Sequence, residues 1–503
     1  MKKVTVIGSG FAGLSAAACL AQSGFDVTVF EKNATAGGRA RKFESDGYVF
    51  DMGPSWYWMP DVFEKFFRRF GKRVEEFYEL KRLDPSYRVF FGRNEFMDVP
   101  AGVPALKELF ERLEPGSSKA LSKFLDDGAF KYNAGMNDLV YKPGLSWREL
   151  VDKRHLVSAV RLNLFQSHSK YVRSLFRDPR LISILEFPVL FLGASPDRIP
   201  ALYSLMNYAD MALGTWYPMG GMYRIIDGMV KLAEELGVKF RFNTPVSRIV
   251  VKEGSASGVW SGVKFLPTDF VVASADYQHV ENDLLPETMR RYSDNYWSSR
   301  TLAPSCLIFY LGINKRVANL QHHNLFFDED IQLHTHEIYA DPRWPSSPQF
   351  YVCCPSKTDN SVAPAGCENL FVLIPVAAGL DDDETIRNKY FSLVMRRMEH
   401  ITGESILPHI VFRKSYAHKD FSLDYNAFKG NAYGLANTLL QTANLKPAIR
   451  SKKVSNLYYA GQLTVPGPGV PPTIISGQVV AAALAKNYQN NLKRKQIADT
   501  VVK

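Results

Sequence analysis

The chain has 503 residues, 46% apolar and 22% charged, the balance of a globular protein long enough for two large domains or three smaller ones, which excludes disorder, collagen and coiled coil as global descriptions. A formal net charge of +10 draws it toward anionic surfaces of any kind without selecting one. Five cysteines (Cys19, Cys306, Cys353, Cys354, Cys367) with no Cys-x-x-Cys pair fit a reducing compartment and offer neither a disulfide framework nor a zinc site.

Lys2 and Lys3 before a small, apolar run imitate a signal peptide, but the glycines that punctuate the run have a better use. KVTVIG reads as a strand, Ala12 to Ser23 as a helix capped by Gly24, and DVTVFEK as a second, alternating strand, together one βαβ unit. Apolar residues at helical spacing follow between Ala105 and Arg180, then from Met222 to Leu236. Strands are expected in VKFRFNTPVSRIVV, FVVASA, SCLIFYLGI, NLFVLIPVA and NLYYAG, and a last helix from about Pro472 to Ala485, with a polar tail that frays. The longest uninterrupted apolar stretch, Leu370 to Leu380, is well short of the ~20 residues that cross a bilayer.

GSGFAG sets Gly8, Gly10 and Gly13 between a strand and a helix. The first allows the tight turn, the second lets a pyrophosphate approach the backbone, and the third lets helix and strand pack closely. The helix N-terminus offers free N–H groups and a positive dipole end to phosphates. Glu31, closing the second strand, can accept hydrogen bonds from ribose hydroxyls. Gly37, Gly38 and Arg39 add a flexible backbone patch and a guanidinium behind it. YVFDMGPSWYWMP then places Asp51, Gly53, Pro54 and Ser55 in a tight turn among aromatics, a reading shared with a purely structural corner. Near the other end, YYAGQLTVPGPGVPPTIISG repeats strand, glycine-rich loop and helix, with Pro471 and Pro472 suited to a first helical turn.

The series GSGFAG, FEK, GGRAR, FDMGPSW and YYAGQLTVPGPGVPP resembles the carotenoid-desaturase branch of the flavin amine oxidase superfamily, and LEFPVLFLGASP and LMNYADMALGTWYPMGGM extend the likeness over nearly the whole chain. The resemblance implies FAD, bound noncovalently, and an α/β fold: a Rossmann-like FAD-binding domain built from discontinuous segments (1–75, 221–285, 431–503), with an inserted mixed sheet-plus-helix substrate domain (76–220, 286–430). Carried over position by position, Gly8, Gly10, Gly13, Glu31, Gly38 and Arg39 match the dinucleotide residues. Val246 matches the position whose backbone meets the adenine, and Gly461, Gly469 and Val470 the loop under the isoalloxazine. Gln462 stands where many relatives carry an acid, so an amide replaces any carboxylate contact there.

The activity implied is stepwise desaturation of phytoene toward lycopene: a hydride passes to the flavin and the neighbouring carbon loses a proton, with no side chain singled out as catalytic base. A phytoene-like polyene, the lipid surface that dissolves it, and oxygen or a quinone as electron acceptor are the implied partners. The implied location is cytoplasmic, peripheral on the inner face of the cell membrane. Val151 to Arg180, basic and amphipathic, is the segment best suited to that surface, with a solvated helix face as the plainer reading. A redox-neutral carotenoid isomerase, an amine oxidase and a non-catalytic flavin-bound scaffold are the rivals. No motif supports nucleic-acid binding. His322, His323, His334 and His336 read as part of a polar loop, and no metal is expected. FRKSYAHKDF, with Arg413, His418 and Asp420, reads equally as an acid/base or quinone-facing group and as a salt-bridged surface turn.

Overall fold

A computed structural model of the chain describes residues 1–137, 139–145, 166–190, 192–193, 195–438 and 441–501. Its central element is a five-stranded parallel sheet in the order Leu457–Tyr459, Phe270–Ala273, Lys3–Ile7, Asp26–Phe30, Lys239–Arg241. Valines dominate the inner strands, as expected where both faces are covered. The register aligns the carboxyl ends: Ile7 lies beside Phe30 and Ala273, Ala273 beside Tyr459, and Phe30 beside Arg241. Chain segments more than 400 residues apart therefore release their loops along one edge, where ligands of open α/β sheets bind.

Two helices lock the termini together. Phe11–Gln22 is nearly all small and apolar, and it lies against the N-terminal part of Val470–Val501. A Cβ on Gly477 would stand 2.3 Å from the Ala12 carbonyl oxygen, so only glycine permits this approach. The Ser15 hydroxyl donates to the Ile474 carbonyl at 2.7 Å across the same contact. The final helix runs on through NNLKRKQIADTV to Val501 rather than fraying after Ala485, because its leucines, lysines and glutamines are good helix formers.

The second large element is a seven-stranded sheet, Ile410–Tyr416, Ser305–Ile313, Glu368–Val376, Phe350–Cys353, His323–Phe326, Tyr87–Gly92, Glu95–Val99. It is antiparallel except between His323–Phe326 and Tyr87–Gly92. Alternation divides its side chains between two cores. Leu307, Phe309, Leu311, Leu370, Val372 and Ile374 face the helix Glu384–Thr402. Cys306, Ile308, Tyr310, Tyr351, Phe371 and Leu373 face back toward the parallel sheet. Each large side chain so buried contributes roughly 1.5–3 kcal/mol.

Among the described residues no helix is long and apolar enough to cross a membrane. Residues 151–165 of the basic amphipathic segment lie outside the described residues. Its remainder is not one interfacial helix: His168–Arg173 and Pro179–Leu190 are separate, Val172 and Phe176 are core, and Arg180 pairs with Asp178 at 2.7 Å.

Candidate functional site

A cavity of about 390 Å³ opens along the carboxyl edge of the parallel sheet and reaches the inner face of the seven-stranded one. Gly8, Gly10, Glu31, Gly37, Gly38, Arg39, Gly53, Pro54, Ser55, Val246, Gly461, Gln462, Gly469, Val470 and Pro471 all line it. Gly13 stands behind them. A Cβ there would lie 2.1 Å from the Gly8 carbonyl oxygen, so this glycine sets how closely helix and turn can pack. At Gly10 a Cβ would meet nothing within 4 Å, and no side chain caps the helix that begins there. The first N–H groups of Phe11–Gln22 thus face open space suited to an anion.

Glu31 holds this turn in shape. One carboxylate oxygen accepts from the Ser9 N–H (3.0 Å) and hydroxyl (2.8 Å), the other from the Asn33 N–H (2.9 Å). Further lone pairs remain for a ligand. The Gly37 N–H donates to the Ser9 carbonyl at 2.9 Å, which seats the second glycine patch on the first.

Arg39 connects the N-terminal segment to the C-terminal one. Its buried guanidinium donates to the Asn431 carbonyl at 3.0 Å, with Tyr425 at 5.2 Å beneath it, while its Nε has no partner. The Gln462 amide is satisfied when it donates to the Ala432 carbonyl (3.2 Å) and accepts from the Gly434 N–H (3.3 Å) and Arg39 (3.2 Å). Asp276, buried and raised above the usual carboxylate range by that burial against the pull of Arg39, completes the cluster. The sequence reading missed Asp276. The available signal was Ser274-Ala275-Asp276 directly after a strand, the same strand-then-acid pattern that drew attention to Glu31.

Toward the seven-stranded sheet the lining changes character. Trp56, Trp58, Leu192, Met206, Cys306, Ile308, Tyr351, Leu373, Ala432 and Tyr433 form walls without a carboxylate, imidazole or amine. Burial pushes the Cys306 thiol and the Tyr433 phenol far up, so neither is a proton acceptor at neutral pH. Trp58 is fixed from behind: its Nε1 donates to Thr215 (2.8 Å), whose hydroxyl donates to Asp210 (3.0 Å), which also accepts from Tyr87 (2.9 Å). Burial raises the Asp210 carboxyl to about 7. A smaller apolar cavity adjoins this end and shares Tyr351, Leu373 and Tyr433 with it.

Several expectations fall elsewhere. Asp51 does not line the main cavity; buried and raised to about 6, it accepts the Met222 and Tyr223 N–H groups at the start of the helix Tyr223–Glu235. His322, His323 and His334 are buried rather than set in a polar loop, because His323 belongs to the seven-stranded sheet and His334 to the helix Ile331–Tyr339. In FRKSYAHKDF, Asp420 pairs with Arg387 at 2.7 Å and the buried His418 meets the Ala377 carbonyl at 2.8 Å. That segment is the end of a strand and the start of a helix rather than a surface turn, and Arg413, His418 and Asp420 do not line the main cavity.

The geometry defines a dinucleotide-binding oxidoreductase fold with an apolar chamber beyond the nucleotide edge. Residues 11–485 match the model of the flavin containing amine oxidoreductase family, and the chain belongs to that family. It is 44% identical over 486 residues to the carotenoid 3,4-desaturase of Haloarcula japonica, covering 96% of this chain and 98% of that one. It is 34% identical over 494 residues to the zeta-carotene-forming phytoene desaturase of Myxococcus xanthus, covering 96% and 94%. Among solved structures, an oxidoreductase from Methanosarcina mazei superposes with a TM-score of 0.62 at 18% identity, covering 95% of this chain and 99% of that one, a likeness of fold. The protein is an FAD-dependent oxidoreductase.

Proposed function

We propose that the chain is a carotenoid desaturase that inserts double bonds into phytoene, stepwise toward lycopene. The single observation that carries a hydrocarbon substrate is the wall from Trp56 to Tyr433, whose described residues include no carboxylate to pair with a charged amine and no imidazole or amine for acid/base work. The similarity to named carotenoid desaturases agrees with it.

The residues present fit FAD. Gly10 leaves room where a pyrophosphate would meet helix N–H groups, and the Arg39 Nε is a buried donor without a partner. Glu31 would take the ribose hydroxyls, Gly53, Pro54 and Ser55 would border the ring end, Val246 the adenine, and Gly461, Gln462, Gly469, Val470 and Pro471 the isoalloxazine edge. When bound, FAD supplies the two-electron acceptor that desaturation requires. The protein's own contribution is positional. The inner face of the seven-stranded sheet holds an apolar chain against the nucleotide edge, and the Trp58–Thr215–Asp210 chain of hydrogen bonds keeps one wall rigid. Excluding water there protects a developing allylic cation.

A second substrate reading is favoured by the 44% likeness to a carotenoid 3,4-desaturase: removal of hydrogen from an already conjugated carotenoid. A net charge of +10 supports attachment to the anionic inner face of the cell membrane, where such substrates dissolve, with oxygen or a quinone as final acceptor. Expression in one bacterium that accumulates phytoene and another that accumulates lycopene, followed by pigment chromatography, tests both readings. Conversion of phytoene supports the first and lengthening of lycopene alone the second. Unchanged pigments in both hosts overturn the assignment.

A further inference from the structure

We propose that His322, His323 and Cys353 form a binding site for one borderline or soft cation, zinc(II) or copper(I), behind the aromatic wall of the cavity. The inference does not depend on which carotenoid is the substrate. His323 and Cys353 sit directly opposite each other on neighbouring strands, and His322 precedes the first of them. A nitrogen of each histidine and the Cys353 sulfur lie within 4.8 Å of one another, and all three residues are buried. Among the described residues this is the one such group of three.

Each histidine has one ring nitrogen engaged and the other without a partner. His322 Nδ1 is 2.7 Å from the Thr358 hydroxyl, and His323 Nδ1 is 2.6 Å from the Tyr351 hydroxyl. With the Tyr351 hydroxyl donating to Ser55 at 3.0 Å, the matching His323 tautomer is the one that donates from Nδ1–H to Tyr351. That tautomer leaves Nε2 of His323 with a bare lone pair. Neither Nε2 has a partner, although both are buried. An outer hydrogen bond on one ring nitrogen with the other left free is the usual arrangement around a metal. Two imidazoles and a thiolate, without a carboxylate in the set, select zinc(II) or copper(I) over calcium or magnesium. On binding, the Cys353 S–H proton leaves to solvent and the sulfur–metal bond replaces it, with no change of oxidation state.

The site would brace the chamber. The His323 ring stacks on Trp56 with centroids 4.0 Å apart and planes 10° apart, and Trp56 lines the cavity. A metal would thus tie two strands to one wall.

The test uses FAD-loaded protein carrying no polyhistidine tag. Elemental analysis of the protein as purified should find about one equivalent of zinc or copper. After chelation, cobalt(II) should restore visible bands typical of tetrahedral thiolate coordination, in the red where oxidised flavin does not absorb, and zinc should abolish them. Cys353→Ser and His322→Gln should each weaken cobalt binding at least tenfold while flavin content stays normal, and His336→Ala, at an exposed histidine, should not. Metal-free protein that takes up no cobalt overturns the proposal, as does uptake that Cys353→Ser leaves unchanged. Because the first two measurements use the unaltered chain, a variant that fails to fold does not blunt them.

Discussion

The two ends of the cavity are built from different materials. At the end proposed for the nucleotide, backbone does most of the work: glycines and helix N–H groups, braced by the Glu31 carboxylate and the Arg39–Gln462–Asp276 cluster, hold the loops of a parallel sheet in place. At the other end side chains do it, because the inner face of an antiparallel sheet presents Cys306, Ile308, Tyr351 and Leu373 to the space. Binding a charged dinucleotide requires donors at fixed points, whereas an oily chain requires only shape and dryness. The first end should therefore be intolerant of small changes, and the second tolerant of changes that conserve volume.

The sharpest test of that contrast is Gly13→Ala. With the new methyl 2.1 Å from the Gly8 carbonyl oxygen, the helix must move, and flavin content in the purified protein should fall at least roughly tenfold. Next, Leu373→Trp fills the chamber at its junction with the smaller cavity. Turnover of carotenoid in liposomes should drop by about tenfold or more with flavin occupancy unchanged. If both variants lose flavin equally, the two ends are not separable. Glu31→Ala leaves the buried Ser9 donors without their acceptor, which costs ~1–3 kcal/mol, so the dissociation constant for FAD should rise at least several-fold by fluorescence titration.

The smallest effects concern pH. Asp210 has a folded pKa of about 7 against ~3.9 unfolded, so the unfolded chain ionises first and stability falls as pH rises from about 4 to 7. Lys446, buried and lowered to about 7 by that burial, acts in the next window. There the unfolded chain holds the extra proton, and stability rises from about pH 7 toward ~10.4. Thermal unfolding across pH should show Asp210→Asn flattening the acid-side fall and Lys446→Met flattening the alkaline rise, each on the order of 1 kcal/mol or more.

What could be read in the sequence follows the same division. Gly8, Gly10 and Glu31 were visible because a turn that admits phosphate restricts residue type at fixed spacing, and Gly461 and Gly469 because they match the ring-side loop of the family the chain resembles. Asp276 escaped because its strand, four residues long, carries no glycine signal of its own. Gly477 escaped because a helix-to-helix contact leaves no local pattern. The chamber was least legible: all nine residues of Ser305–Ile313 are buried, so apolar alternation cannot say which face meets a core and which meets a cavity. The buried histidines were misread for a related reason. A polar residue inside a sheet looks like loop until its cross-strand partner is known.

The central claim is that one bound flavin removes hydrogen from an oily polyene held in the apolar chamber. An anaerobic single turnover with liposomal phytoene or lycopene measures it directly. The account predicts that the oxidised-flavin absorbance bleaches in step with the growth of a longer-wavelength polyene band, one flavin reduced for each double bond formed. A flavin that stays oxidised while the substrate's conjugation length is unchanged would contradict it.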